Sequence, residues 1–258
     1  MYLKQGEGSH QDSMGNKGTL KAGDVQWMTA ASGLQHDEGR NHPGGILHGF
    51  QMWVNLPREN KMDPPAYHDI SAKSIATFTG DGIVAKVIAG QVEGTKAIIQ
   101  PKANVQYVDF MCEPGTDYKH LIPPEMTTVM AYVYKGSGVF GKSQKHVRAR
   151  EMAVFSRNVG DGNMIFRADD ATEGLHFLLM AGRPLNEPIA QHGPFVMNTD
   201  QEIRQCMIDL QTDNFIRHKG TYAKWGVDDA GNPIVVKWAN HDKPDHPCLY
   251  PTAQHKEL

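Results

Sequence analysis

The sequence predicts an all-β protein, a sandwich or barrel, with one helix near its C-terminal end. Three observations point there. Glycine (26) and proline (15) are spread along the 258 residues and cut them into short segments, the pattern of many strands joined by turns. The stretch from Ile46 to Leu56 alternates with period two: Ile46, His48, Phe50, Met52, Val54 and Leu56 share one face, and Leu47, Gly49, Gln51, Trp53 and Asn55 the other. Successive strand side chains point to opposite faces, so this reads as a half-buried strand. A helical period is well marked in one place, after residue 199.

Further strands are expected at Val25–Thr29, Ile83–Ala89, Val105–Met111, Thr128–Lys135, Glu151–Ser156 and Leu175–Ala181. The helix begins at Thr199-Asp200-Gln201-Glu202, which has the spacing of a capping box. Ile203, Cys206, Met207 and Leu210 then recur at i, i+3, i+4 and i+7, giving one apolar stripe that docks on a β core. Pro57 to Ser74, with Pro64-Pro65 inside it, reads as a linker. The expected division is residues 1–72 as an N-terminal unit, 73–217 as a second unit carrying the helix, and 218–258 as an irregular tail. That tail has a turn signal at Asp229-Ala230-Gly231-Asn232 and a short strand at Ile234–Trp238.

Composition excludes several function classes. Apolar residues make up 40% and charged residues 21%, the balance of a folded globular chain, and no 18-residue apolar run exists to span a membrane as a helix. The 26 basic and 29 acidic residues leave a formal charge of −3, which supplies no electrostatic footprint for nucleic acid. A role connected with DNA would act through a protein partner. Cys112, Cys206 and Cys248 are scattered and form no C-x-x-C pair, so a reducing compartment, cytoplasmic or nuclear, is expected. The opening Met1-Tyr2-Leu3-Lys4-Gln5-Gly6 has no signal-peptide pattern, and the final His255-Lys256-Glu257-Leu258 is read as a chance likeness to a retention signal.

With 13 histidines, a metal site is the first chemistry to test. The best local candidate is Gly33-Leu34-Gln35-His36-Asp37-Glu38. His36 and Glu38 lie two apart, so on a strand both point to one side, and an imidazole beside a carboxylate suits a first-row metal. The bland alternative, a surface His-x-Glu, is the commoner one for such a short motif. His48 is expected to be a core histidine, His10 a loop or strand-end residue, and His241, His246 and Cys248 part of a solvated tail. Asp169-Asp170 and Asp228-Asp229 are explained by turns, and Cys112 and Cys206 by burial. Neither a G-x-S-x-G elbow, a P-loop nor a G-x-G-x-x-G fingerprint occurs.

Several longer stretches resemble the pirins, two-barrel members of the cupin superfamily. They are Gly23-Asp24-Val25-Gln26-Trp27-Met28-Thr29-Ala30, then His48-Gly49-Phe50-Gln51-Met52-Trp53-Val54-Asn55-Leu56-Pro57, Lys61-Met62 with Pro65 and Tyr67, and Gln191-His192-Gly193-Pro194-Phe195-Val196-Met197-Asn198-Thr199. The resemblance spans about residues 2 to 215 and implies two cupin-type β-barrels (a bicupin) with one metal, usually iron, in the N-terminal barrel. His36 and Glu38 fall on the second pair of the family's metal ligands. The first pair belongs to a His-Pro-His-Arg-Gly-Phe segment that does not occur here, nor does any other His-x-His, so an incomplete N-terminal barrel with a half-built site is expected. In the second barrel, His120 and His176 are expected to be structural.

The resemblance implies two functions. One is a quercetinase-type dioxygenase in which Fe(II) holds flavonol and dioxygen while Glu38, as catalytic base, takes the flavonol's proton. The other is a co-regulator that binds a transcription-factor partner without turnover. A relative that keeps the fold and binds no metal is the third reading.

Overall fold

In this computed structural model, the structure describes residues 1–40, 43–156 and 162–242. The chain opens with β1 (Tyr2–Gln5), β2 (Glu7–Asp12), β3 (Lys17–Lys21), β4 (Val25–Thr29), β5 (His36–Arg40), β6 (His48–Phe50) and β7 (Ala66–Ile70). It continues with β8 (Ala76–Gly80), β9 (Ile83–Ala89), β10 (Gln91–Val92), β11 (Thr95–Lys96), β12 (Val105–Cys112), β13 (Asp117–Leu121) and β14 (Thr128–Phe140). Then come β15 (Lys145–Arg148), β16 (Met152–Val154), β17 (Asn163–Ala168), β18 (Leu175–Gly182), β19 (Ala190–His192) and β20 (Phe195–Met197). Helix α1 (Asp200–Gln211), β21 (Thr221–Val227) and β22 (Pro233–Asn240) complete it. The chain folds as two compact units, one made of Met1–Ser74 with the chain from Glu187 onward, the other of Ile75–Asn186.

The second unit is built on one curled sheet in the order β13-β17-β14-β18-β12-β9-β8, with β15 and β16 also pairing β14. Strand β14 is long enough to serve two parts of the sheet. Its first residues pair β16 and β18, and its last pair β15 and β17. The change of partner falls near a bulge between Val133 and Lys135 and at Gly136, whose φ is +72°. A Cβ there would stand 1.8 Å from the Gly174 carbonyl oxygen, so only glycine lets the strand turn this corner. Inside the curl, Phe110, Phe140, Phe166 and Phe177 are buried and pack ring on ring, with Phe166 and Phe177 edge-on at 4.8 Å and Phe110 stacked on Phe177 at 5.1 Å.

The first unit has a six-stranded sheet in the order β22-β21-β7-β4-β1-β6 and a three-stranded sheet, β3-β2-β5. Met14, Leu34, Tyr67 and Tyr222 form a buried cluster with Met28 packed against it. Helix α1 is capped as its sequence predicts: the Thr199 hydroxyl accepts the Glu202 N–H at 3.2 Å, and the Glu202 carboxylate accepts from the Asn198 N–H at 3.1 Å and the Thr199 hydroxyl at 2.9 Å. The helix, expected at the end of the second unit, falls in the first. Lys61 ties the segments together, donating from Nζ to Asn55 Oδ1 at 2.6 Å and to the Val196 carbonyl at 3.3 Å.

Four expectations are corrected here. The strand expected over Ile46–Leu56 shrinks to His48–Phe50, because β6 is an edge of its sheet and, among the described residues, pairs only β1, which offers four residues and a shifted register between Leu3 and Gln5. Pro57–Ser74 is not merely a linker, since it contains β7, whose Tyr67 is 1% exposed. The tail is not irregular as far as residue 242: β21 lies parallel to β7, with Tyr222 opposite Tyr67, and β22 pairs back on β21 across a turn in which Asp228 accepts from the Ala230 and Asn232 N–H groups. His241 is drawn in as well, with Nε2 3.0 Å from Asn16 Oδ1. His246 and Cys248 lie outside the described residues.

Candidate metal centre

Strand β5 carries the sequence-predicted pair. His36 and Glu38 stand on the same side of the strand, with His36 Nε2 3.9 Å from Glu38 Oε1. The Glu38 side chain is 17% exposed and that of His36 36%. One carboxylate oxygen of Glu38, Oε2, accepts from the Gln51 amide at 3.3 Å. The other, Oε1, is buried and has no hydrogen-bond partner. A buried carboxylate oxygen without a donor costs free energy unless a proton, water or cation meets it. Two donors 3.9 Å apart can both reach one ion held at about 2.1 Å from each.

The register of β2 against β5 sets His10 opposite Glu38 and Asp12 opposite His36, so all four side chains belong to one face. Yet both residues of β2 are committed elsewhere. Asp12 closes a turn, accepting at Oδ1 from the Met14 and Asn16 N–H groups, both at 2.9 Å, and at Oδ2 from the Asn16 side chain. His10 is no loop residue: it is 5% exposed, with Nδ1 2.7 Å from the Tyr67 hydroxyl and Nε2 3.1 Å from Asp69 Oδ2. His48, expected in the core, is exposed and lies edge-on to Phe50. Among the described residues, no group of three or more His, Cys, Asp and Glu side chains comes together as a metal site. The His36–Glu38 pair therefore fits one edge of an ion's coordination sphere, two donors and no more.

A second polar array sits beside this pair, and no motif pointed to it. The Gln26 amide donates to the Tyr67 hydroxyl, Tyr67 meets His10, His10 faces Asp69, and the Tyr222 hydroxyl donates to the same Asp69 oxygen at 2.8 Å. All five side chains are nearly fully buried. Burial is the main cause that drives the Tyr67 phenol far above its ordinary pKa, and the nearby carboxylates of Asp69, Asp12 and Glu38 add to it. These residues come from four separate strands, β2, β4, β7 and β21, so no local spacing in the sequence links them.

In the second unit, His120 lies on β13, 2% exposed, with Nε2 3.0 Å from Gln106 Oε1 and its ring edge-on to Phe110. Burial lowers its pKa to about 4. The Cys112 thiol is buried and pushed up to about 12, chiefly by desolvation. Asp169 binds Ser137 and His146 rather than pairing with Asp170, which meets Arg167. Among the described residues, no helix is long and apolar enough to cross a membrane.

Comparison with known proteins bears on this site. A family model described as "Pirin" matches residues 1–54, and one described as "Pirin C-terminal cupin domain" matches residues 107–216. A pirin-like protein of Solanum lycopersicum is 36% identical over 225 residues, which covers 86% of this chain and 76% of that protein. Pirin-1 of Arabidopsis thaliana is 38% identical over 213 residues, covering 81% of this chain and 72% of its own length. A crystal structure of quercetin 2,3-dioxygenase from Acinetobacter baumannii aligns with a TM-score of 0.75 at 34% identity, covering 83% of this chain and 74% of the other.

Proposed function

The chain belongs to the pirin family of cupin proteins, and on that premise we propose that it is a metal-dependent dioxygenase of the quercetinase type, with His36 and Glu38 as the metal-holding pair and a flavonol as substrate. One observation carries the reading. Glu38 Oε1 is buried without a hydrogen-bond partner and faces His36 Nε2, an arrangement that a cation would complete. The name of the related Acinetobacter baumannii structure supports the choice of reaction. Ferrous iron suits an imidazole–carboxylate pair, and when bound it would supply a place for dioxygen and the flavonol's oxygen side by side.

The chain's own residues then have distinct tasks. Gln51 occupies Oε2 of Glu38, so Oε1 is the lobe left to act. Glu38 would take the flavonol's hydroxyl proton once that oxygen loosens from the cation, general-base work suited to a carboxylate. His36 is partly exposed, so the pair is open to solvent on that side.

The experiment is anaerobic loading of the purified chain with Fe(II), gel filtration, elemental analysis, and oxygen uptake with a flavonol. Uptake that disappears in Glu38→Gln is the expected result. A loaded chain that consumes no oxygen sinks the enzymatic reading.

A second reading, a module that binds a protein such as a transcription factor, is favoured by one observation. Ile46, Leu47, Trp53 and Met62, all within one short stretch, are large apolar residues left exposed. Capture of a partner that depends on metal, without oxygen uptake, would select it.

A further inference from the structure

One border of the second unit's sheet is open, and it carries basic and apolar side chains side by side. We propose that the border formed by β15 and β16 docks an extended acidic segment of a protein partner, which adds as a strand beside Met152–Val154 and sets carboxylates against Lys145, Arg148 and Arg150. The surface lies wholly within the second unit and involves no metal.

Strand β14 builds this border. Strands β15 and β16 follow each other along it, with Ser137 opposite Arg148 and Tyr132 opposite Met152. Between them the Arg150 N–H donates to the Val133 carbonyl, and the Val133 N–H donates to that of Glu151, so the two strands form one border broken by a short turn. Among the described residues, neither β15 nor β16 pairs a strand other than β14. Hydrogen bonds in an antiparallel ladder alternate. Val133 and Val129 bond Glu151 and Phe155, which turns the backbone groups of Met152 and Val154 away from β14. An unpaired border of this kind is a template for another strand. Its side chains invite cover as well: Met152 is 48% exposed and Val154 71%, while Ala153 between them packs on the core.

Charge selects the kind of strand. Gly141 to Arg150 contains Lys142, Lys145, Arg148 and Arg150 and no acidic residue, in a chain whose formal charge is −3. All four are exposed. Acids of the neighbouring segments are engaged elsewhere: Asp169 by Ser137 and His146, Asp170 and Asp117 by Arg167, and Glu173 by Lys135. Glu151 is turned back on the Arg148 N–H at 2.8 Å. Among the described residues, Lys145, Arg148 and Arg150 form no ion pair. Strand residues advance about 3.4 Å each, so Lys145 and Arg148 stand about 10 Å apart, a spacing that an extended peptide matches residue for residue. A nucleic acid fits less well. Between Gly141 and Arg150 there is no Phe, Tyr or Trp for a base to stack on, and a long polyanion would run past the hairpin onto a chain of net negative charge.

The test is fluorescence anisotropy of the full chain with a fluorescein-labelled peptide of alternating Glu and Val, compared with a Glu–Ser peptide and a single-stranded oligonucleotide. The expected result is that the Glu–Val peptide binds tightest and that its affinity falls as salt rises. Lys145→Glu combined with Arg148→Glu weakens it by about tenfold or more, since exposed attractions become repulsions. Lys17→Glu with Lys21→Glu makes the same charge change on exposed residues of β3 and leaves binding unchanged. Val154→Pro removes an N–H turned away from β14 and abolishes binding, and proline is tolerated on an edge strand. Hydrogen exchange on the unaltered chain reads the geometry directly, with the Met152 and Val154 amides gaining protection when the peptide binds. No binding of the Glu–Val peptide overturns the proposal, as does an equal loss in the two charge-reversed pairs. Equal affinity for the Glu–Ser peptide overturns the part assigned to Met152 and Val154, and binding without protection of their amides overturns strand addition. Tighter binding of the oligonucleotide overturns the choice of a protein partner.

Discussion

Tyr222 donates its hydroxyl to Asp69, a residue 153 positions earlier, at 2.8 Å in the buried interior of the first unit. Strand β21 brings the two together by pairing in parallel with β7, so a late segment of the chain becomes a wall of a unit begun at residue 1. Tyr222→Phe keeps the ring and removes the donor to a buried carboxylate. The expected loss is about 2 kcal/mol, read as a lower denaturant midpoint with an unchanged m-value. An unaltered midpoint would mean that β21 is held by packing alone.

Glu38 gives a prediction in which metal and stability are linked. Without metal, its buried, unpartnered oxygen is a burden, so Glu38→Gln is expected to melt at the same temperature as the unaltered chain or higher. With Fe(II) at about 100 times its dissociation constant, the unaltered chain gains roughly 2.7 kcal/mol and the variant gains less. His36→Ala combined with Glu38→Ala abolishes specific iron binding. Equal iron content in the double variant would remove the site assignment.

His120 makes the chain sensitive to acid. Its pKa is about 4 when folded and 6.5 ordinarily, so between those values the unfolded chain binds a proton that the folded chain refuses. Stability therefore falls as pH drops from about 6.5 towards 4, by on the order of 3 kcal/mol for this group. Denaturant titrations across that window should show a shallower slope for His120→Gln. A slope equal to that of the unaltered chain would assign the acid sensitivity to other groups, His68 first, which burial also lowers to about 4.

Gly18→Ala tests the close approach of His10 and Asp69. The added methyl overlaps the His10 ring, and overpacking of this kind costs about 1–3 kcal/mol. Thermal unfolding measures it. The same substitution at Gly15, where a Cβ meets nothing within 4 Å but φ is +90°, separates steric overlap from backbone strain.

Much of the architecture was legible locally. Val25–Thr29 and Ile83–Ala89 appear as β4 and β9 with the bounds their alternation gave, and the Thr199–Glu202 cap starts α1. Each signal is local: a period of two, or a side chain three residues from the amide it satisfies. The Ile46–Leu56 segment alternates just as clearly and is mostly not strand, because alternation shows which residues could share a face and says nothing about a partner. The strand at Tyr222 escaped notice for the complementary reason, since its partner lies some 150 residues away.

The candidate site divides along the same line. Two residues of spacing in His36-Asp37-Glu38 were enough to place both donors on one side of a strand, and pirin-like motifs along the chain were enough to identify the family. Which histidines stand ready beside that pair was decided only by strand register and burial. Those forces turned His10 towards Tyr67 and Asp69, left His48 in solvent, and gathered Gln26, Tyr67, Asp69 and Tyr222 from three strands into one buried array. A sequence states its short-range geometry outright, whereas long-range contacts depend on which of many possible pairings the whole chain satisfies at once.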